Sequence, residues 1–292
     1  MTQSSNYRAG PPAAVASLLF GAALWGVIWY PYRLLEAGGL SGVMATLLTY
    51  AIGLMLAVLL FRNRLRGCRV DGWLVAIALA SGACNLGYVL ATLHGEIVRV
   101  LLLFYLAPLW TVLLARLLLA EQSGKIGLAV VGMSLAGAAI MLWRPELGAP
   151  WPGNAAEWLA MATGFLFALS NVLIRRADHY SIESKSVAVF VGVIALALPL
   201  VALNDWGSGH WPNGTTIWLA IAVGALLVLA NVLVQYGLTR VAASRAIVML
   251  TVELPVAACA SWLLAGEAMG PAEWAGGLLI VLASVTSARL EA

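Results

Sequence analysis

The chain has 292 residues, of which 62% are hydrophobic and only 10% are charged, and its mean hydropathy is +0.94. This composition excludes an ordinary soluble domain and indicates a polytopic membrane protein. The net charge of +3 follows from where the basic residues lie relative to the membrane, so it does not indicate a nucleic-acid partner.

Ten segments that are long and apolar enough to cross a bilayer follow one another along the chain. Nine contain no Asp, Glu, Lys or Arg, and the remaining one is interrupted only by Glu253. The apolar runs are continuous rather than alternating, which excludes a spanning β-barrel. We therefore predict an all-α integral membrane protein with ten transmembrane helices and short connections. The runs cover residues 9–32, 37–61, 72–95, 100–115, 126–143, 158–174, 186–204, 206–239, 246–266 and 274–288.

Basic residues predict the orientation of these spans. If the N-terminus is inside, thirteen of the sixteen Lys and Arg residues lie at the inner surface, and only Arg33, Arg99 and Arg144 lie outside. This bias predicts that both termini are cytoplasmic, in a bacterial-type plasma (inner) membrane. Most tryptophans fall near the outer surface, whereas Trp25 and Trp110 fall deeper within spans.

Polar residues recur at a shift of 146, half the length of the chain. Pro108 and Pro255 miss this register by one position. We predict two units of five spans each, 1–146 and 147–292. Because five is odd, the two units must insert in opposite orientations. Inverted repeats of this kind enclose the binding site of many secondary transporters. The aligned pairs are Asn85 with Asn231, Arg99 with Arg245, and Glu121 with Glu267.

The titratable residues do not form an enzymatic site. His94, His179 and His210 lie near span ends and far apart, the three cysteines are an odd number, and no complete P-loop or hydrolase motif is present. We predict no catalytic residue, no metal ligand and no cofactor.

Buried amides are the first candidate binding groups. Asn85 and Tyr88 share a face of the third span, Asn231 and Gln235 share a face of the eighth, and Asn171 lies in the sixth. Amides offer donors and acceptors for the ammonium and carboxylate groups of a zwitterion without the cost of burying a charge. The alternative is hydrogen bonding between helices, which stabilises by about 0.6 to 2 kcal/mol.

Aromatic residues and one acid complete the candidate site. Trp25, Tyr105 and Trp110 can line a cavity or pack against helices, and about 140° separates Tyr105 from Trp110, so only one of them can face a cavity squarely. Glu253 is the only acid well inside a span. It could hold a substrate amine or carry a proton, or it could pair with Arg116 or with backbone groups.

Pro108 and Pro255 lie inside the fourth and ninth spans. A proline removes a backbone donor and bends the helix, which predicts either a hinge or a packing kink. Glu121 and Glu267 end these same spans, and each is predicted to cap the helix that follows it.

The segment RVLLLFYLAPLWTVLLARLLLAE, which ends at Glu121, and the segment LTVELPVAACASWLLAGE, which ends at Glu267, resemble the EamA-type branch of the drug/metabolite transporter superfamily. The pair Trp25 and Gly26 resembles it as well. Within the branch the chain looks most like the YddG-type amino acid exporters. This resemblance implies a central cavity surrounded by spans 1, 3, 4, 6, 8 and 9.

The predicted function is export of aromatic and other neutral amino acids, or related small metabolites, by a monomer that alternates access across the lipid bilayer. A permease for other metabolites or drugs is the second transport hypothesis. A membrane enzyme or scaffold is the rival from another class, but an enzyme should group several titratable residues at one face and a scaffold should carry conspicuous loops.

Overall fold

A computed structural model describes residues 12–66, 68–95, 97–143, 151–204, 213–266 and 269–289. In these ranges all regular structure is helical, and ten helical spans are long and apolar enough to cross a membrane. The predicted fold class is therefore confirmed. The helices are α1 Pro12–Ala37, α2 Gly42–Leu65, α3 Gly72–His94, α4 Ile97–Phe104, α5 Ala107–Leu114, α6 Lys125–Leu142, α7 Ala155–Arg176, α8 Ile182–Asn204, α9 Gly214–Arg240, α10 Ala243–Leu250, α11 Glu253–Ala265 and α12 Pro271–Arg289.

Short polar side chains fix several helix starts. Ser41, Asn154 and Asn213 cap α2, α7 and α9 by accepting hydrogen bonds from backbone N–H groups of the first turn. Asp71 caps α3 in the same way, and the hydrogen bonds from Leu74 N and then Trp73 N lower the pKa of its carboxyl group. The starts of these four helices are therefore specified locally.

The fourth and ninth spans are each broken into two helices. α4 and α5 are separated at Tyr105, and α10 and α11 are separated at Thr251. Each break precedes a proline, which has no N–H to donate to the carbonyl four residues earlier. The carbonyl of Thr251 instead accepts from Leu254 N at 3.0 Å. Tyr105 and Thr251 are separated by 146 residues, which is the repeat register, whereas Pro108 and Pro255 miss that register by one position.

The two broken spans also end in the same way. A π-helical turn, Ala115–Leu119, follows α5 and finishes at Ala120, whose φ of 54° is left-handed. α11 finishes at Gly266, whose φ is 69°. These left-handed residues are again 146 apart, and Gly266 adopts the conformation without the strain that alanine bears.

Packing between the halves is reciprocal. α1 packs on α9 and α11, and α7, the first helix of the second half, packs on α3 and α5. α2 packs on α8, and α6 on α12. Glycines allow close backbone approach at these seams, with Gly82 facing Gly192 and Gly137 facing Gly276. Segments 1–146 and 147–292 therefore build one shared helical bundle.

Candidate functional site

The start of α11 places a carboxyl group against residues of the first half. The carboxyl group of Glu253 lies near the hydroxyl group of Tyr105, and it is close enough to Tyr105, Tyr88 and Cys84 for electrostatic interaction. We call Glu253, Tyr105, Tyr88 and Cys84 the carboxyl cluster. It joins the break of the fourth span, the start of α11 and the middle of α3.

Aromatic rings surround the carboxyl cluster. The Phe104 ring lies with its centroid 5.3 Å from Tyr88, 5.2 Å from Tyr105 and 5.3 Å from Phe167. Edge-to-face and tilted geometries of this kind hold rings at defined angles. Phe104 and Cys84 were not among the candidates predicted from sequence. Phe104 could have been identified as a candidate from its position next to Tyr105.

Glycines position both breaks. A Cβ at Gly26 of α1 would lie 2.7 Å from the carbonyl oxygen of Glu253, and one at Gly164 of α7 would lie 2.5 Å from that of Phe104. Only a residue without a Cβ permits these approaches. Each half therefore supplies a glycine from its first helix to hold the break of the other half, which gives Gly26 of the Trp25–Gly26 pair a structural role.

The two deep tryptophans lie outside the carboxyl cluster. Trp110 packs on Phe165 of α7 with a centroid distance of 5.8 Å, and its buried Nε1 has no hydrogen-bond partner among the described residues. Trp25 packs in a cluster formed by α1, α2, α8 and α9, together with Tyr32. Tyr105 and Trp110 therefore face different groups of residues.

Asn85 forms hydrogen bonds within the protein. Its Oδ1 accepts from the Tyr50 hydroxyl at 2.7 Å, and its Nδ2 donates to the Ser81 carbonyl at 2.9 Å. This contact joins α2 and α3, which is the helix-to-helix role considered as the alternative for each amide. Tyr50 was not predicted to take part.

The other three amides present unbonded atoms. Asn171 Nδ2, Asn231 Oδ1 and Gln235 Oε1 are buried and have no hydrogen-bond partner within the described part of the chain. Buried polar atoms are nearly always bonded, and each unbonded one costs about 1 to 3 kcal/mol. One amide donor and two amide acceptors are therefore left without a hydrogen-bond partner in the described part of the chain.

Two expectations for acidic residues are corrected. Arg116 is exposed, and its pairing with Glu253 is not among the ion pairs of the described residues, where Glu253 interacts with Tyr105 instead. Glu121 does not cap the helix that follows it, because its Oε2 accepts from Ala243 N at 2.9 Å and so caps α10 of the other half. Glu267 lies outside the described residues.

A polar network ties five spans together at the end of the bundle that holds most basic residues, which we call the inner end. Arg175 Nε donates to Glu121 Oε1 at 3.2 Å. Lys185 Nζ donates to Thr239 Oγ1 at 2.7 Å and to the Ile174 carbonyl at 3.1 Å. Lys185 is fully buried, although it belongs to the basic residues that were expected at the inner surface.

A second ion pair lies at the opposite, outer end. Arg99 Nε and Nη2 donate to Glu157 Oε1 and Oε2 at 2.7 and 3.0 Å, and Gly153 N donates to Glu157 Oε2 at 2.7 Å. Together with the Arg175 and Glu121 pair, this contact joins α7 to the fourth span at both ends. At the outer end the arginine belongs to the fourth span and the glutamate to α7, whereas at the inner end the glutamate belongs to the fourth span and the arginine to α7.

Two cavities lie beside this central region. One of about 530 Å³ opens at the inner end, next to the starts of α6 and α10. The other, of about 290 Å³, is an apolar groove between the fourth span and α6, lined by Tyr105 and Leu109 among others. Tyr105 is the candidate binding residue that lines the groove.

Comparison with known proteins supports a transporter. Residues 154–289 match the EamA-like transporter family. The chain is 26% identical to the riboflavin transporter of Vibrio cholerae, over 84% of this chain and 82% of that protein. It is 25% identical to the uncharacterized transporter YojE of Bacillus subtilis, over 74% of each chain.

A solved crystal structure has the same fold. It superposes with a TM-score of 0.79 at 20% identity, covering 95% of this chain and 98% of that chain. Together with the ten apolar spans, the matches support a multi-pass membrane protein whose residues 154–289 are similar to the EamA-like transporter family.

Proposed function

We propose that this chain is a monomeric secondary transporter that exports aromatic and other neutral amino acids by alternating access between two inverted five-helix repeats. The observation that carries the proposal is the set of buried, unbonded amide atoms on Asn171, Asn231 and Gln235. A zwitterion needs donors for its carboxylate and acceptors for its ammonium group, and these three residues provide both.

The carboxyl cluster extends the site toward the helix breaks. Glu253 is an additional acceptor for an ammonium group, and Tyr88, Tyr105 and Phe104 offer aromatic surface to an apolar side chain. The carboxyl group can also exchange a proton with one side of the membrane, which would couple solute export to a proton gradient.

The movement required for alternating access has two structural candidates. At the breaks beside Pro108 and Pro255, i to i+3 hydrogen bonds such as Leu106 N to the Leu103 carbonyl interrupt the regular helical pattern. A change in these turns would let α4 tilt relative to α5, and α10 relative to α11. The inner-end network of Glu121, Arg175 and Ala243 must separate if solute enters from that side. A rocking motion of one half against the other would do both.

We also propose that the inner end faces the cytoplasm of a bacterial-type inner membrane. The support is the excess of Lys and Arg there. Cys68 lies next to Arg69, whose carbonyl accepts a hydrogen bond from the Tyr180 hydroxyl at 2.8 Å at this end. Impermeant thiol reagents added to intact spheroplasts should leave Cys68 unlabelled, and rapid labelling from outside would reverse the assignment.

Riboflavin or a related planar heteroaromatic solute is the second candidate. The specific observation is the 26% identity with a riboflavin transporter over most of both chains. A flavin ring presents carbonyl acceptors and an imide donor, which the same amides could bind, and the ring could stack on the aromatic residues near Glu253.

Counterflow in proteoliposomes tests both proposals. Vesicles preloaded with unlabelled tryptophan, leucine, arginine or riboflavin would be diluted into labelled tryptophan or labelled riboflavin. We expect tryptophan and leucine, but not arginine, to drive uptake of labelled tryptophan. Exchange of riboflavin without exchange of any neutral amino acid would replace the first proposal with the second, and no exchange of either would contradict both.

A further inference from the structure

The inner-end cavity of about 530 Å³ has a composition that the proposed transport does not use. It lies between the end of the fourth span, the start of α6, the start of α10 and the end of α12. The candidate binding residues in the spans do not contribute to its lining. Its walls combine cationic, hydroxyl and apolar groups.

The start of α6 exposes backbone N–H groups to this cavity. α6 begins at Lys125, and its N-cap residue Gly124 provides no side-chain hydrogen bond. A Cβ at Gly124 would have no atom within 4 Å, so the backbone there is open to a ligand. Free N–H groups and the helix dipole together favour an anion at such a position, and the exposed Lys125 adds a positive charge.

A buried hydroxyl group supports a polar ligand independently. Ser287 of α12 lines the cavity, is only 1% exposed, and forms no hydrogen bond with any described residue. Hydroxyl groups at such burial are usually bonded. Ser287 therefore provides a donor inside the cavity, facing the region that Lys125 borders.

The remaining charges are compatible with an anion. Arg245 of α10 lines the cavity and adds a second cation. Glu121 also lines it, but its Oε1 accepts from Arg175 Nε at 3.2 Å and its Oε2 accepts from Ala243 N at 2.9 Å, so its charge is already compensated. Buried Val130 and Val248 and the exposed Ile126 supply apolar surface beside these charged groups.

The geometry points to a binding site for the phosphate group of an acidic phospholipid. The phosphate would contact the first turn of α6, Lys125, Arg245 and Ser287, and an acyl chain would lie against Val130, Val248 and Ile126. A free phosphate shares the headgroup chemistry but would leave the apolar surface unused. Acidic lipids and basic surface residues concentrate at the same membrane face, which places the ligand where the site opens.

Lipid retention by the purified full chain tests this assignment. Native mass spectrometry and thermal denaturation would be run in detergent with added phosphatidylglycerol, phosphatidylcholine or inorganic phosphate. We expect retention of phosphatidylglycerol and a raised midpoint of unfolding, with little effect of phosphatidylcholine or of inorganic phosphate. Lys125→Gln should weaken phosphatidylglycerol binding about 5-fold.

Two further variants keep the test decisive. Ser287→Ala should also weaken binding, whereas Arg62→Gln, which removes another exposed inner-end cation distant in the sequence, should not. Midpoints measured without lipid separate lost binding from lost folding. Equal retention by Lys125→Gln, Ser287→Ala and the unmodified chain would overturn the site. Saturable binding of inorganic phosphate with no preference for the lipid would overturn the lipid assignment.

Discussion

The two helix breaks occupy equivalent positions but hold different chemistry. The first, at Tyr105, lies in an apolar cluster with Ile280 of α12. The second, at Thr251, places its hydroxyl group 2.8 Å from that of Ser134 in α6 and is followed by Glu253. Ser134 and Ile280 are themselves 146 residues apart. The contact that faces the last helix of a half is thus apolar at the first break, between Tyr105 and Ile280, and polar at the second, between Thr251 and Ser134.

The two equivalent asparagines show the same difference. Asn85 is hydrogen-bonded to Tyr50, but the residue 146 positions after Tyr50 is Leu196, which cannot donate to Asn231. The acceptor oxygen of Asn231 is left without a partner within the described residues. We therefore expect the first half to contribute mainly structure and the second half to contribute the polar groups that bind the proposed solute.

The largest expected effect on transport is that of Glu253→Gln. Gln retains the shape and much of the hydrogen bonding of Glu but cannot release a proton. If one proton is exchanged per solute, a gradient of one pH unit can support about tenfold accumulation, and the variant should lose all of it while keeping downhill exchange. Accumulation of labelled solute in proteoliposomes with an imposed pH gradient measures this.

Glu157→Gln is the matched control for that experiment. It removes a carboxylate from the outer ion pair with Arg99, far from either helix break along α7. We expect it to lower the midpoint of unfolding while preserving the response to the gradient. An unchanged gradient response in Glu253→Gln would remove Glu253 from coupling and leave it a structural partner of Tyr105.

Asn231→Ala and Asn85→Ala should separate binding from stability. Removing an amide that contacts the solute costs about 1 to 3 kcal/mol, so Asn231→Ala should weaken solute affinity by about 5- to 150-fold. Asn85→Ala should instead lower stability, because it leaves the Tyr50 hydroxyl without its acceptor. Equilibrium binding and thermal denaturation of both variants measure the two effects.

Tyr50→Phe provides the control for the asparagine pair. In the double variant with Asn85→Ala, neither half of the hydrogen bond remains, so the loss of stability should be smaller than in Asn85→Ala alone. If Asn85→Ala weakened solute binding as strongly as Asn231→Ala, the two halves would share the binding site equally and the comparison would fail.

The sequence was sufficient to predict the ten spans, and Pro108 and Pro255 indicated which two of them would be disturbed. Continuous apolar runs have one stable solution in a bilayer, and a proline within such a run removes a backbone donor. The helix is broken beside Pro108 and Pro255, whereas Pro31 and Pro199 lie inside the unbroken helices α1 and α8. The breaks at Tyr105 and Thr251 lie within a few residues of Pro108 and Pro255. These features depend on local chemistry, which a sequence displays directly.

Partners across the bundle were harder to predict. Helical periodicity grouped Asn85 with Tyr88, but it contains no information on which residue of α2 meets Asn85. For the same reason it could not show that Lys185 is buried against Thr239, or that Glu121 caps a helix of the other half. Contacts between distant segments depend on helix rotation and tilt, which packing determines.

The proline variants should have a smaller effect on transport. Pro108→Ala and Pro255→Ala each restore a backbone donor, which should straighten the span and slow the conformational change with binding retained. We expect turnover to fall about tenfold, equivalent to about 1.4 kcal/mol in the barrier. Counterflow rates at saturating solute measure turnover. Unchanged rates in both single variants and in the double variant would show that the breaks serve packing only.

The smallest effects on transport, and a direct comparison of the two breaks, should come from Gly26→Ala and Gly164→Ala. Each added methyl group would overlap a backbone oxygen at the opposite break, and overpacking of this kind costs about 1 to 3 kcal/mol of stability. The cost should be larger for Gly164, because its Cβ would also lie 3.1 Å from two further backbone atoms of Phe104. Ion pairs at both ends of α7 also oppose any separation of α7 from the fourth span.

Gly132→Ala is the matched control, since a Cβ there would have no atom within 4 Å. This substitution should leave stability unchanged or slightly increased. Midpoints of thermal unfolding should therefore fall in the order Gly132→Ala, Gly26→Ala, Gly164→Ala, and a lower midpoint for Gly26→Ala than for Gly164→Ala would show that the second break is the more tightly constrained of the two.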